Sequence, residues 1–196
     1  LGIVDTAVVG RLGDAALLGG VALGGVIFDF LFWGFGFLRM GTVGLAAQAL
    51  GRRDAVAERA VLARALLIAL GCGLALILLR VPLGHAALSL AGASDAVNAA
   101  VRDYFHIRIW AAPASLANYV VAGWLTGIGR TGHALVLQVV ISLLNMVLTL
   151  LLVLGLGWGV AGSAAGTLAA ELAGAVLGLA ACARLLGFRL GVPRAV

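Results

Sequence analysis

Apolar residues run in long continuous stretches along this chain, and polar residues gather in short connections rich in Gly and Arg. Six stretches stand out, at approximately 1–11, 16–48, 60–80, 104–126, 133–154 and 159–186. Most match the ~20 residues with which an α-helix crosses a hydrocarbon core of about 30 Å. The runs are continuous rather than alternating, which predicts helices and excludes barrel strands. The fold class expected is therefore an all-α integral membrane protein, a six-helix transmembrane bundle. At ~1.5 Å per residue the first stretch covers only roughly 16 Å and the second roughly 50 Å. The first reads as the outer part of a helix whose upstream half is absent, and the second must tilt or project beyond the bilayer.

Composition agrees: 63% of the 196 residues are hydrophobic and 11% charged, with a mean hydropathy of +1.17, outside the range of soluble domains. The net charge of +5 comes from Arg alone, with no Lys, and sits mainly in the connections. That is a topology signal rather than a nucleic-acid surface, so no nucleic acid is expected as a partner. Arg52, Arg53, Arg59, Arg64, Arg130, Arg184, Arg189 and Arg194 fall on one side; Arg11, Arg80 and Arg102, beside Asp14, Asp95 and Asp103, fall on the other. The positive-inside rule then puts the amino-terminus and the end at residue 196 both in the cytoplasm. Trp158, Tyr104 and Trp124 occupy stretch ends, as interfacial belt residues do.

Chemical motifs are few. Gly127-Ile-Gly129-Arg-Thr-Gly132 and Gly157-Trp-Gly159-Val-Ala-Gly162 match GxGxxG, but both lie between apolar stretches without a preceding strand, so they read as turns. Cys72 and Cys182 stand singly within stretches, and His85, His106 and His133 lie near stretch ends with no second ligand at helical spacing. No disulfide framework, metal site or cofactor follows from these residues, and no nucleophile–base pair indicates an enzyme. Gly20 with Gly24, Gly162 with Gly166 and Gly174 with Gly178 repeat the small-xxx-small spacing of close helix packing. Pro113 predicts a kink in the fourth stretch, serving as a hinge or simply accommodated.

Ionisable groups within the stretches are Asp5, Asp29, Arg39, Arg108 and Glu171. Each costs ~2.5–3.5 kcal/mol at a helix centre, which makes such residues functional candidates. Arg39 and Arg108 lie toward stretch ends, where they can snorkel. Asp29 has two open readings, an indole partner or an Arg partner. Counted inward at ~1.5 Å per residue, Asp5 lies about 9 Å deep, and Asn145 and Thr167 about 15 Å. Asn145 with Thr149, and Thr167 with Glu171, are i,i+4 pairs that share a helix face. Such a layer suits a water-accessible cavity opening outward, with helix-to-helix hydrogen bonding as the plainer reading.

Three stretches carry a family resemblance: VDTAVVG at 4–10, FLRMGTVGLAAQALG at 37–51 and APASLAN at 112–118. Together the chain resembles the multidrug and toxic compound extrusion (MATE) family, and within it the DNA-damage-inducible protein F branch. The resemblance implies a twelve-helix transporter of two six-helix lobes, of which residues 1–196 form the amino-terminal lobe, its carboxy-terminal lobe being the absent partner. It also implies a coupling role for Asp5, Asn145 and Thr167; Thr149, Glu171, Asn118 and Asp29 are expected separately as cavity residues. Where many members carry an Asp four residues after the helix-five Asn, this chain has Thr149. That weakens a sodium site and favours proton coupling through Asp5.

The expected activity is secondary antiport across the bacterial cytoplasmic (inner) membrane: a small, amphipathic, cationic organic substrate leaves as protons enter. The proton gradient drives it, sodium being the other possible coupling ion. Two other readings are a lipid-linked-precursor flippase of the same superfold and an inactive half-protein. Membrane lipid is a partner in each case.

Overall fold

The computed structural model of the chain describes residues 2–11 and 13–190. Arg194 and the end at residue 196 lie outside the described residues, as does the side chain of Arg189. All regular structure among the described residues is helical: α1 (Gly2–Gly10), α2 (Ala15–Trp33), α3 (Gly36–Gly51), α4 (Ala55–Leu78), α5 (Arg80–Ala91), α6 (Asp95–Arg108), α7 (Ala112–Gly127), α8 (Thr131–Leu150) and α9 (Gly159–Leu190). Among the described residues four segments are long and apolar enough to cross a membrane by themselves: Ala15–Trp33, Ala55–Leu78, Thr131–Gly155 and Gly159–Gly187.

The boundaries differ from the sequence expectation in three places, each for a local reason. The long second stretch is two helices, because Gly34 and Gly36, poor helix formers, flank the break between α2 and α3. The region expected as a connection, 81–103, is helical almost throughout, as α5 and the start of α6. Its residues escape a count of apolar runs because α6 is largely polar, burying only Ala100, Val101, Tyr104, Phe105 and Arg108 at helical spacing. The fourth stretch divides into α6 and α7 around a 3₁₀ turn at Ile109–Ala111. Pro113 follows that turn and has no N–H for the Ile109 carbonyl, which accepts from the N–H of Ala112 instead.

Helix starts follow ordinary capping chemistry. The Asp14 carboxylate accepts from the N–H groups of Ala16 and Leu17 at 2.8 and 3.2 Å, and Asp54 accepts from Ala57 at 2.9 Å. Both GxGxxG matches are turns: Gly129 (φ 74°) joins α7 to α8, and Gly157 and Gly159 (φ 69° and 53°) join α8 to α9. Before the second turn α8 widens into a π-helical turn, Leu151–Gly155, with the Leu156 N–H reaching the Leu151 carbonyl at 3.0 Å.

The centre of the bundle is α7, which packs against α3, α4, α8 and α9 and fully buries Leu116, Val120, Val121, Trp124 and Leu125. Trp124 is therefore a core residue, its indole N–H donating to the Glu58 carbonyl at 3.0 Å, rather than a belt residue. Tyr104 is likewise buried, whereas Trp158 is exposed. Backbone approach on α7 depends on Gly123 and Gly127, where a Cβ would come within 2.6 Å of the carbonyl oxygens of Arg39 and Val43 on α3. The small-residue pairs mark similar seams: Gly20 and Gly24 of α2 close onto α6, and Gly162 and Gly166 of α9 close onto α8 and its π-helical turn. Cys72 and Cys182 are both free thiols.

Candidate functional site

Helix α1 lies against α2, α8 and α9, and this seat brings Asp5 inside the bundle at 1% exposure. Its carboxyl is held on both oxygens. Thr149 Oγ1 donates to Oδ1 at 2.9 Å, and Thr167 Oγ1 reaches Oδ2 at 3.1 Å. The Thr167 hydroxyl also lies 3.1 Å from the Ser163 carbonyl, so its single proton has two acceptors to choose between. Asn145 Nδ2 donates to Thr167 Oγ1 at 2.9 Å. Residues of three helices, α1, α8 and α9, thus form one continuous network in which Asp5 bridges Thr149 and Thr167.

Local packing sets this geometry. A Cβ on Gly166 would stand 3.0 Å from both the backbone N and Oγ1 of Thr149, so the absence of a side chain there lets α9 close onto α8. Asn145 and Thr149, one turn apart on α8, then face α9 and α1 rather than lipid, and both have no exposed surface. Thr149, expected as a cavity residue, is instead sealed behind Asp5, because its hydroxyl is spent on the carboxyl and α9 covers it.

Beside this network lies a cavity of about 790 Å³. Asp5 and Thr167 form part of its wall, together with Asp29, Asn118 and Glu171. Asp29 is exposed there and, among the described residues, makes neither the indole nor the arginine pairing considered from sequence. Asn118 Nδ2 donates to Glu171 Oε2 at 2.7 Å and to the Glu171 carbonyl at 3.0 Å. Pro113 is not on the wall; it packs against Gly73 of α4, where a Cβ would meet Pro113 Cα at 2.5 Å.

Two arginines that looked like snorkelling residues also line the cavity. Arg39 is exposed in it. Arg108 is buried, with Nη2 at 4.0 Å from Glu171 Oε1 and its guanidinium 5.3 and 5.6 Å from the ring centres of Phe28 and Phe32. It turns inward because α6 is amphipathic and Arg108 falls on the buried face with Tyr104 and Phe105. Sequence reasoning also missed Ser115 and Tyr119, which line the wall, and Ser163, which is fully buried beside the network. Single hydroxyls within Ala- and Gly-rich helices gave no signal. Among the described residues no group of three or more His, Cys, Asp or Glu side chains is placed to hold a metal ion.

The MatE family profile matches residues 1–151. The chain belongs to that family. It is similar to the DNA damage-inducible protein F of Escherichia coli (strain K12), with 46% identity over 147 residues that cover 75% of this chain and 32% of that protein. It is also similar to the probable multidrug resistance protein NorM of Rhizobium meliloti (strain 1021), with 31% identity over 144 residues, 72% of this chain and 30% of that one. A MATE protein crystallised in the bent conformation superimposes with a TM-score of 0.81 at 26% identity, covering 100% of this chain and 42% of the other. The MatE chain described here therefore spans about a third of the length of these curated relatives. Its helices are those of a membrane transporter family rather than of an enzyme.

Proposed function

We propose that this MatE chain forms the amino-terminal lobe of a secondary active antiporter in the bacterial cytoplasmic membrane, exporting amphipathic, cationic compounds in exchange for protons. One observation carries the reading: Asp5 sits on the cavity wall, 1% exposed, held by two hydroxyls and, among the described residues, paired with no cation. A buried carboxylate without counter-charge is costly. A proton relieves that cost, and so does an organic cation, so arrival of one favours departure of the other. Phe28, Phe32 and Tyr119 on the same wall suit the apolar part of such a substrate.

The remaining parts of the mechanism are those of a two-lobe carrier. A carboxy-terminal lobe supplies the opposite wall of the path, and rocking of the lobes alternates access. The Arg-rich α3–α4 turn with the first turns of α4, and the α7–α8 turn, face the cytoplasm, as do both chain ends. The cavity wall carries Arg39 and Arg108 against Asp5, Asp29 and Glu171, a mixed lining that speaks against the wide basic chamber a lipid-linked-precursor flippase needs.

A sodium-coupled variant has its own support. Asn145 Oδ1 and Ser163 Oγ are buried without hydrogen-bond partners beside Thr167 and Asp5, and neutral oxygens around a carboxylate suit a hard cation. The test is substrate accumulation in everted vesicles carrying the transporter, with and without sodium and with a protonophore. Proton coupling is expected to survive sodium removal and to collapse with the protonophore; the reverse pattern supports sodium. Asp5→Asn should abolish accumulation while leaving membrane insertion intact, and accumulation at the unsubstituted rate would refute the role of Asp5.

A further inference from the structure

Away from the central cavity, a groove of about 220 Å³ opens between α5 and α6. Its depth in the bilayer follows from α4, which runs 24 residues from Ala55 to Leu78. At ~1.5 Å per residue that helix spans roughly 36 Å, enough to bring its end from one headgroup layer to the other. Helix α5 begins two residues later with Arg80, so the groove starts at headgroup level. Trp110, half exposed, stands beside it with the Arg80 guanidinium 5.2 Å from its ring centre, an arrangement typical of the membrane interface.

The lining has two characters. Arg80, His85, Arg102 and His106 are basic or proton-accepting, and Leu88 and Phe105 are apolar. Among the described residues no carboxylate lines the groove. Asp95 and Asp103 of α6 are exposed outside it, and among the described residues neither Arg80 nor Arg102 has a salt-bridge partner. Two unpaired guanidiniums over an apolar floor call for a ligand with a phosphate-type anion attached to hydrocarbon. The lack of a carboxylate disfavours a lipid whose phosphate is offset by an ammonium group, since nothing in the groove would pair with that ammonium.

We propose that this groove binds the headgroup and upper acyl chain of an anionic phospholipid. Guanidinium N–H groups of Arg80 and Arg102 take the phosphate oxygens, and the first methylenes lie on Leu88 and Phe105. Gly84 keeps the floor open: a Cβ there would already touch Phe105 Cε1 at 3.4 Å, so a larger side chain would fill the space.

The chain, purified in neutral detergent, is titrated with phosphatidylglycerol or phosphatidylcholine of the same acyl composition, and bound lipid is counted by native mass spectrometry. One phosphatidylglycerol should be retained roughly 30-fold more tightly than phosphatidylcholine, the preference expected of two interfacial arginines. Arg80→Gln with Arg102→Gln should remove that preference, while Arg80→Lys with Arg102→Lys should keep most of it, which separates charge from folding. Gly84→Leu should weaken retention with every charge in place. Three results would each overturn the proposal: an unchanged preference in the Gln pair, an equal loss in the exposed Arg184→Gln control, or displacement of the lipid by millimolar inorganic phosphate, which would make the groove a free-phosphate site. The measurement is independent of transport, so it stands apart from the antiport reading.

Discussion

Removing either hydroxyl on Asp5 separates a functional polar network from simple helix-to-helix hydrogen bonding. Thr149→Val takes away the 2.9 Å donor to Oδ1 and leaves one buried acceptor unpartnered. Thr167→Val removes the contact to Oδ2 and, at the same time, the acceptor for Asn145 Nδ2, so it orphans a buried acceptor and a buried donor together. Each orphaned group costs about 1–3 kcal/mol, whereas an ordinary interhelical hydrogen bond in a membrane contributes only ~0.6 kcal/mol. Thr149→Val is therefore expected to destabilise by about 1–3 kcal/mol, and Thr167→Val by roughly twice as much. Equilibrium unfolding in mixed micelles reads both values. In an Asp5→Asn background the Thr149→Val cost should change by more than ~0.5 kcal/mol, since the two groups touch. Costs near 0.6 kcal/mol for both variants, or Thr149→Val matching Thr167→Val, would refute the network and leave only helix adhesion.

Other expectations follow from packing and charge. Gly73→Ala would drive a Cβ to within 2.5 Å of Pro113 backbone, and Gly174→Ala to 2.4 Å from the end of the Ile141 side chain. Backbone cannot yield as a side chain can, so Gly73→Ala should cost about 1–3 kcal/mol in thermal unfolding and Gly174→Ala clearly less. Glu171→Ala strands the Arg108 guanidinium and should cost about 3–5 kcal/mol, whereas replacing both residues together with Met and Leu should recover most of that loss. Trp124→Phe loses the 3.0 Å bond to the Glu58 carbonyl, which keeps its helical N–H partner within α4, and should cost only about 0.5–1.5 kcal/mol, measured the same way.

The membrane character and the helical bundle were legible because hydropathy and run length are properties of single segments. Depth counting also grouped Asp5, Asn145 and Thr167, which the structure links through Thr167. What segment-by-segment reading could not supply was direction around a helix axis. Arg108 lies near a stretch end yet turns inward, Trp124 lies near another yet is core, and Thr149 faces Asp5 rather than open space. Each orientation is fixed by which neighbour comes close, and Gly166, Gly123 and Gly127 decide that through side chains they lack. Helix α5 and the start of α6 were missed for a related reason: a short or half-polar helix is visible only through the partner that covers its apolar face.

Thr167 and Glu171 stand one turn apart on α9, roughly 6 Å along a rod rising 1.5 Å per residue. One touches the Asp5 carboxyl, and the other holds Asn118 and faces Arg108. No loop or hinge intervenes between them, so α9 works as a common lever with two handles. A displacement of α9 at Glu171 would therefore carry Thr167 with it, and one at Thr167 would carry Glu171. Cavity wall and Asp5 carboxyl are thereby joined through one continuous helix.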